Sequence, residues 1–158
     1  MKAGIPDHLV YETTAAYDRW LKLFLPGVIA VVLVLRVTLA PIDSENPWLI
    51  ILALAAFYAF LLHAVMPRRF LVFEDRLRIV LGRPFGFNIP FSSIQEARIA
   101  SAGKMYVYWG IQFATSTGSV VEIVRRRGLN ITISPTDREM FLEQFNQALQ
   151  MFNAGGRI

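Results

Sequence analysis

Residues 48–66 read WLIILALAAFYAFLLHAVM, nineteen positions without Asp, Glu, Lys or Arg, and Pro67-Arg68-Arg69 follows at once. An α-helix rises about 1.5 Å per residue, and the hydrocarbon core of a bilayer is about 30 Å thick. A second apolar run lies just upstream at 21–42, with Lys22 and Arg36 as its charged residues. The two runs predict a two-helix transmembrane hairpin, with helices at about 21–42 and 48–66, ahead of a polar domain.

The charged residues indicate an orientation for this hairpin. The loop at 41–47 holds two acids and no Lys or Arg, whereas Arg68 and Arg69 close the second run. By the positive-inside rule, this pattern predicts a multi-pass membrane protein with both termini in the cytoplasm. Residues 67–158 carry twelve Lys or Arg against seven Asp or Glu, so the formal net charge of +4 comes from the polar domain. We expect this basic domain to favour an anionic lipid leaflet rather than nucleic acid.

The second apolar run also holds an aromatic cluster and one histidine. Phe57, Tyr58 and Phe60 form a surface that lipid or another subunit would have to cover. His63 could bind a haem or a chlorophyll-type pigment through a ring nitrogen. Because His63 has no second ligand beside it, we expect it to pack against a neighbouring helix instead. The chain also has no cysteine that could bind a metal. We therefore predict no cofactor and no metal site.

Beyond Arg69 the apolar residues alternate with polar ones, which is typical of β-strands. Gly, Pro, Asn, Asp and Ser separate the alternating segments and indicate turns between them. Seven short strands are predicted, at 70–73, 77–81, 87–91, 94–100, 107–113, 120–127 and 129–133.

The last element has the period of a helix. Ser134 predicts an N-cap, with Pro135 at the first helical position. Five apolar residues then recur along one helical face, namely Phe141, Phe145, Ala148, Leu149 and Phe152. Seven strands and this C-terminal helix predict a bent antiparallel sheet or small β-barrel capped by the helix.

This order of elements resembles the pleckstrin-homology fold, and more narrowly the bacterial PH-like domains found behind one or two membrane helices. The resemblance covers 68–152 and rests on NIPFSSI at 88–94, VEIVRRRG at 121–128 and ISPTDREMF at 133–141. It implies a PH-like β-barrel of about seven strands at the bacterial inner membrane. It does not imply an activity, because none of the three segments is a catalytic motif.

Four segments follow from these predictions. An N-terminal segment at 1–20 is expected to form an interfacial helix against the bilayer or the domain. The transmembrane hairpin occupies 21–67, the cytoplasmic PH-like domain 68–152, and a short tail 153–158.

The inventory of reactive residues argues against an enzyme. The chain has two histidines, His8 and His63, and both lie outside the predicted domain. Ser92, Ser93 and Ser134 therefore have no neighbouring histidine in the sequence to activate them. No phosphate-binding loop, dinucleotide fingerprint or paired metal-ligand spacing is present. We predict a protein without catalytic residues.

The remaining function is that of an interaction module. We expect an accessory subunit, assembly factor or scaffold of a larger bacterial inner-membrane complex, whether respiratory, photosynthetic or secretory. Sheet edges and the groove beside the helix offer places for a partner peptide. Its partners would be membrane lipids and other membrane-protein subunits, with no nucleic acid. The alternative is an anionic-lipid-binding module that uses Arg125, Arg126 and Arg127, with Arg83, Arg68 and Arg69 as possible additions.

Overall fold

The computed structural model describes most of the chain beyond residue 46 and part of the chain before it. The described residues are 8–19, 23, 26–28, 30–31, 34, 38, 47–100 and 110–155. Most of the predicted first helix, with Lys22 and Arg36, lies outside them, as do residues 101–109, which include the start of the predicted fifth strand.

Eight strands and two α-helices have their bounds within the described part of the chain, with a short 3-10 turn at Phe91–Ser93. The described residues at 19, 23, 26–28, 30–31, 34 and 38 are helical as well. In chain order they are β1 (Leu9–Thr14), α1 (Pro47–Val65), β2 (Arg69–Phe73), β3 (Arg76–Val80), β4 (Gly86–Pro90), β5 (Ile94–Ile99), β6 (Ile111–Phe113), β7 (Val121–Arg125), β8 (Ile131–Ile133) and α2 (Arg138–Gly155).

The first sheet has the order β1-β2-β3-β4 and is antiparallel throughout. Phe70 pairs with Ile79, and Leu77 pairs with Ile89, so these side chains lie on one face of the sheet. All four are almost completely buried. Their period-two spacing in the sequence is therefore the reason that this segment folds as strands over a common core.

The second sheet has the order β5-β7-β8-β6, and β6 runs parallel to β8. Ile123 pairs with Ile131, which also pairs with Ile111 across the next ladder. Ile123 and Ile131 are fully buried and belong to the same core as the first sheet. The two sheets thus place their apolar faces against each other.

Helix α2 closes this core with an aromatic stripe. Phe141 is fully buried, and its ring lies 6.4 Å from that of Phe70 and 5.6 Å from that of Phe145, centroid to centroid. Phe145 in turn meets Phe91 edge to face at 5.4 Å. Such ring pairs stabilise the fold by about 0.5–1.5 kcal/mol each, beyond the effect of the apolar area that the helix buries. The structure therefore buries the predicted face of the C-terminal helix.

The helix begins later than the sequence predicts. The N–H of Met140 donates to Oδ1 of Asp137 at 3.1 Å, which makes Asp137 the N-cap. Ser134 is instead buried, and its hydroxyl accepts a hydrogen bond from the Thr115 N–H at 2.8 Å. The predicted cap at Ser134 is wrong because the hydroxyl is engaged by the loop after β6.

The N-terminal segment contributes an edge strand to the first sheet. β1 pairs with β2, and Thr14 stands opposite Arg69. Beyond β1, the Ala16 N–H donates to the Ser134 carbonyl at 2.7 Å, and the Thr136 N–H donates to the Thr14 carbonyl at 2.9 Å. The N-terminal segment therefore joins the first sheet to residues 134–136, which follow the last strand of the chain. The sequence predicts an interfacial helix for this segment, but Leu9–Thr14 is a strand.

Asp18 fixes the end of this segment. Its carboxylate accepts hydrogen bonds from the Ser116 hydroxyl at 2.6 Å and from the N–H and hydroxyl of Thr117, each at 2.9 Å. Nearby, the Tyr17 hydroxyl donates to the Pro67 carbonyl. The contacts of the β domain thus end at Asp18 on one side of the apolar run and resume at Pro67 on the other. The bond between Tyr17 and Pro67 keeps these two positions close together.

The predicted fold class is wrong in its sheet arrangement. We expected about seven strands in one bent sheet or barrel, whereas the described residues form two four-stranded sheets. The additional strand is β1, which pairs with a strand more than fifty residues later. An edge strand of this kind carries a weak local signal, because most of its partners are distant in the sequence.

The transmembrane hairpin expected at 21–42 and 48–66 is also wrong. Across the part of the chain that the structure describes, no helix is long and apolar enough to cross a membrane. The nineteen residues of α1 measure about 28 Å, and its last turns lie against the β domain at Phe60 and His63. This finding also overturns the expected multi-pass inner-membrane location with cytoplasmic termini.

Replacing Phe141 with Ala tests the aromatic closure of the core. Because the ring is fully buried between the first sheet and Phe145, we expect Phe141→Ala to lower the free energy of unfolding by about 3–5 kcal/mol. The neighbouring Met140 is 44% exposed, so Met140→Ala should change it by less than about 0.5 kcal/mol. Chemical denaturation followed by circular dichroism measures both. Equal effects of the two substitutions would contradict this packing.

Candidate interaction surface

Helix α1 carries no charged residue and is apolar on every side. Its sequence is dominated by Leu, Ala and Phe, of which Leu and Ala are strong helix formers, and Pro47 occupies the first position that proline tolerates. Leu52 is 66% exposed and Phe57 is 60% exposed. An ordinary surface helix buries one apolar stripe and shows a polar face to water. α1 has no polar face to show.

The last turns of α1 pack on the loop between β3 and β4. The ring of Phe60 meets that of Phe85 edge to face, with centroids 6.3 Å apart. Gly82 lies directly against the His63 backbone, and a Cβ at this position would overlap the His63 carbonyl. Glycine is therefore required for the close approach of the loop to the helix.

Phe85 extends the apolar surface from the helix onto the β domain. Its side chain is exposed even though it contacts Phe60, and the neighbouring Phe87 is also partly exposed while packing on Phe113. We call the exposed side chains of Leu49, Leu52, Phe57, Phe60 and Phe85 the apolar surface. Contiguous patches of this kind are rare on monomers and mark interaction sites.

The structure brings some of the predicted contact residues to this surface and places others apart from it. Phe57 and Phe60 are exposed, whereas Tyr58 is half-buried. Arg68 donates to Nδ1 of His63 at 2.7 Å, so that nitrogen acts as an acceptor and is engaged by the guanidinium. Within the described ranges, no group of three or more His, Cys, Asp or Glu side chains is placed to hold a metal ion.

Arg69 and Tyr17 make contacts at the two ends of the apolar segment, by which we mean the chain between β1 and β2 that contains α1. Arg69 forms an ion pair with Glu12 of β1 at 2.8 Å, which links the two strands on either side of the segment. Burial raises the pKa of the Tyr17 hydroxyl, while the charge of Arg68 acts in the opposite direction. The phenol therefore stays neutral around pH 7 and donates to the Pro67 carbonyl.

The three arginines at the end of β7 do not share one direction. Arg125 donates its backbone N–H to Asn130, and its guanidinium lies over Gly128, whose φ of 89° suits only glycine among ordinary residues. Arg126 turns back, and its Nε donates to the Ile94 carbonyl at 3.2 Å. Arg127 is exposed. The Arg126 guanidinium is thus bonded to its own domain, and the Arg125 guanidinium lies beside the turn at Gly128.

Glu122 is a buried carboxylate in the second sheet. It accepts a hydrogen bond from Nε of Arg98 at 2.9 Å and one from the Asn130 amide at 3.4 Å. Arg98 stands directly opposite Glu122 in the ladder between β5 and β7. Removing the cation from such a pair leaves a buried charge uncompensated and is destabilising. We assign it a structural role.

Sequence reasoning missed the contribution of Gly82 and Phe85. In the sequence, Gly82-Arg83-Pro84 indicates only a break between two strands, and the structure has such a break between β3 and β4. The contact of that loop with α1 depends on the return of the chain at Pro67, and no local pattern signals it.

Comparison with known proteins gave no match to a family model, to a curated protein or to a solved structure. The resemblance to PH-like domains therefore stays a prediction from the residues that carry it.

Replacing Gly82 with Ala tests the docking of α1. Because a Cβ would overlap the His63 carbonyl, we expect Gly82→Ala to displace the end of the helix and to cost about 1–3 kcal/mol of stability. Amide hydrogen exchange in the last turn of α1 should become faster. Gly118 has nothing within 4 Å of an added Cβ, so Gly118→Ala is the matched control. Unchanged exchange in Gly82→Ala would contradict the docking.

Proposed function

We propose that this protein is a non-enzymatic interaction module, acting as an accessory subunit or scaffold that binds a partner subunit through the apolar surface of α1 and Phe85. The observation that carries the proposal is a helix without a polar face, with Leu52 and Phe57 more than half exposed. A partner of matching apolar character would cover it.

The size of the surface supports this function. A helix of nineteen residues is about 28 Å long and about 10 Å across, so one side of it offers about 400 Å². One partner in a stable complex typically contributes about 800 Å². One side of the helix would therefore supply about half of a specific interface, and Phe85 extends it.

The attachment of the helix also supports a role in assembly. Gly82 and Phe85 hold the last turns of α1 against the β domain, and Arg68 bonds to His63 at the same junction. A partner on α1 would consequently be held in a fixed position relative to both sheets. Rigid presentation of this kind lowers the entropy lost on binding.

The polar side chains favour a role without catalysis. The Ser134 hydroxyl is buried among backbone and hydroxyl partners, and the Ser93 hydroxyl donates to the Pro90 carbonyl at 2.8 Å. His63 is engaged by Arg68. The side chains of Ser134, Ser93 and His63 are therefore engaged in hydrogen bonds within the fold.

Binding of anionic lipid through Arg125, Arg126 and Arg127 stays a prediction from the sequence. Their charges are close together in the chain, but two of the side chains lie against the turn and strand of their own domain. The geometry favours the apolar surface over this alternative.

A charged substitution on α1 tests the proposal. We expect the tagged chain, purified gently from its host, to carry one partner in fixed stoichiometry that crosslinks to residues of α1. Phe57→Glu should remove that partner, because it places a charge in an apolar interface. Phe57 is 60% exposed, so the fold should be unaffected.

Gln95→Glu is the matched control, because it adds the same charge at an exposed position on β5 of the second sheet. This variant should retain the partner. A lone monomer, or a partner that survives Phe57→Glu, would sink the proposed function.

A further inference from the structure

We propose that the groove between β1 and α2 binds an extended segment of a partner protein that carries an apolar side chain close to a Lys or Arg. This groove is separate from the apolar surface of α1, and its occupant is recognised by different chemistry. The inference therefore adds a second binding site and does not depend on the first.

The groove is a cavity of about 440 Å³ with an apolar floor. Val10 of β1 lines one side, and Ala148, Met151 and Phe152 of α2 line the other. The volume is within the range of sites that hold a ligand or a few side chains. Such a floor suits an apolar side chain of the occupant.

One wall of the groove is a strand edge. β1 pairs with β2 on one side, and on its other side only the stretch around Thr14 and Ala15 bonds to 134–136, as far as the described strands show. The edge from Leu9 onward runs beside the groove. An extended peptide can add to such an edge through its own backbone groups. This geometry favours an extended occupant over a compact small molecule.

The charge at the rim selects a cation. Glu74 lines the groove, is exposed, and makes no hydrogen bond or ion pair within the part of the chain that the structure describes. Its neighbour Asp75 is paired with Arg76 at 3.2 Å. No Lys or Arg is among the residues lining the groove. A Lys or Arg of the occupant would give Glu74 the partner that it lacks.

The remaining wall is uncharged. Gln144 and Gln147 line the groove on α2, and their amides can donate to and accept from a peptide backbone. Met140 and Met151 lie on the same helical face and are both exposed. Methionine adapts its shape to different apolar partners. The wall thus tolerates variation in the occupant outside its apolar and basic residues.

A random-peptide display library, applied to the full chain, tests the inference. Peptides that also bind the Met151→Glu variant are removed first. Met151 is 63% exposed, so this variant keeps its fold and keeps α1, and peptides that adhere to the apolar helix are discarded with it. We expect the retained peptides to share an apolar residue and a Lys or Arg two positions apart, on one face of an extended strand.

Charge reversal then identifies the partner of Glu74. A synthetic peptide from the retained set should bind Glu74→Gln about two- to fivefold more weakly than the original chain, as expected for an exposed ion pair. Glu74→Lys should weaken it further, and changing the Lys or Arg of the peptide to Glu should restore binding to that variant. Glu143→Lys, at an exposed carboxylate of α2 that does not line the groove, should leave binding unchanged. The inference is overturned if no shared pattern emerges, or if the peptide binds Glu74→Lys as tightly as the original chain.

Discussion

The pairing of β1 with β2 is the constraint on which the rest of the structure depends. Thr14 and Arg69 are neighbours in the sheet although more than fifty residues separate them in the chain. Closing a loop of that length costs about 4 kcal/mol of chain entropy. The ladder, the ion pair of Glu12 with Arg69 and the three hydrogen bonds to Asp18 offset that cost. The apolar segment is therefore an insertion between two adjacent strands of one β domain.

This arrangement explains how α1 is presented. The chain leaves the domain beyond Asp18 and returns at Pro67, where the Tyr17 hydroxyl bonds to the Pro67 carbonyl. Gly82 and Phe85 then receive the end of the helix. The apolar surface is thus held at one region of the domain, while the groove between β1 and α2 is formed by different elements. β1 takes part in both, because it anchors the insertion and lines the groove.

The sequence revealed the local features of the β domain and missed the distant ones. Alternation marked β2 and β3, because each strand turns one face to the core, and the helical period marked Phe141, Phe145 and Leu149 as buried. The N-cap was misplaced because Ser134 and Asp137 both suit that position, and only the contact with Thr115 decides between them. β1 was missed because Leu9–Thr14 has little alternation of its own and its partner is far away. The exposure of Phe57 and Phe60 was anticipated, whereas Phe85 required knowledge of where the helix returns.

The most direct test of the insertion compares two shortened chains. One replaces residues 20–65 with a short Gly-Ser loop between Arg19 and Met66, and the other begins at Arg68 and therefore lacks β1. If β1 belongs to the β domain, the first chain should unfold in a single cooperative transition on chemical denaturation. The second should unfold at much lower denaturant or show no cooperative transition. Equal midpoints for the two chains would contradict the account, because β1 would then contribute nothing to the fold.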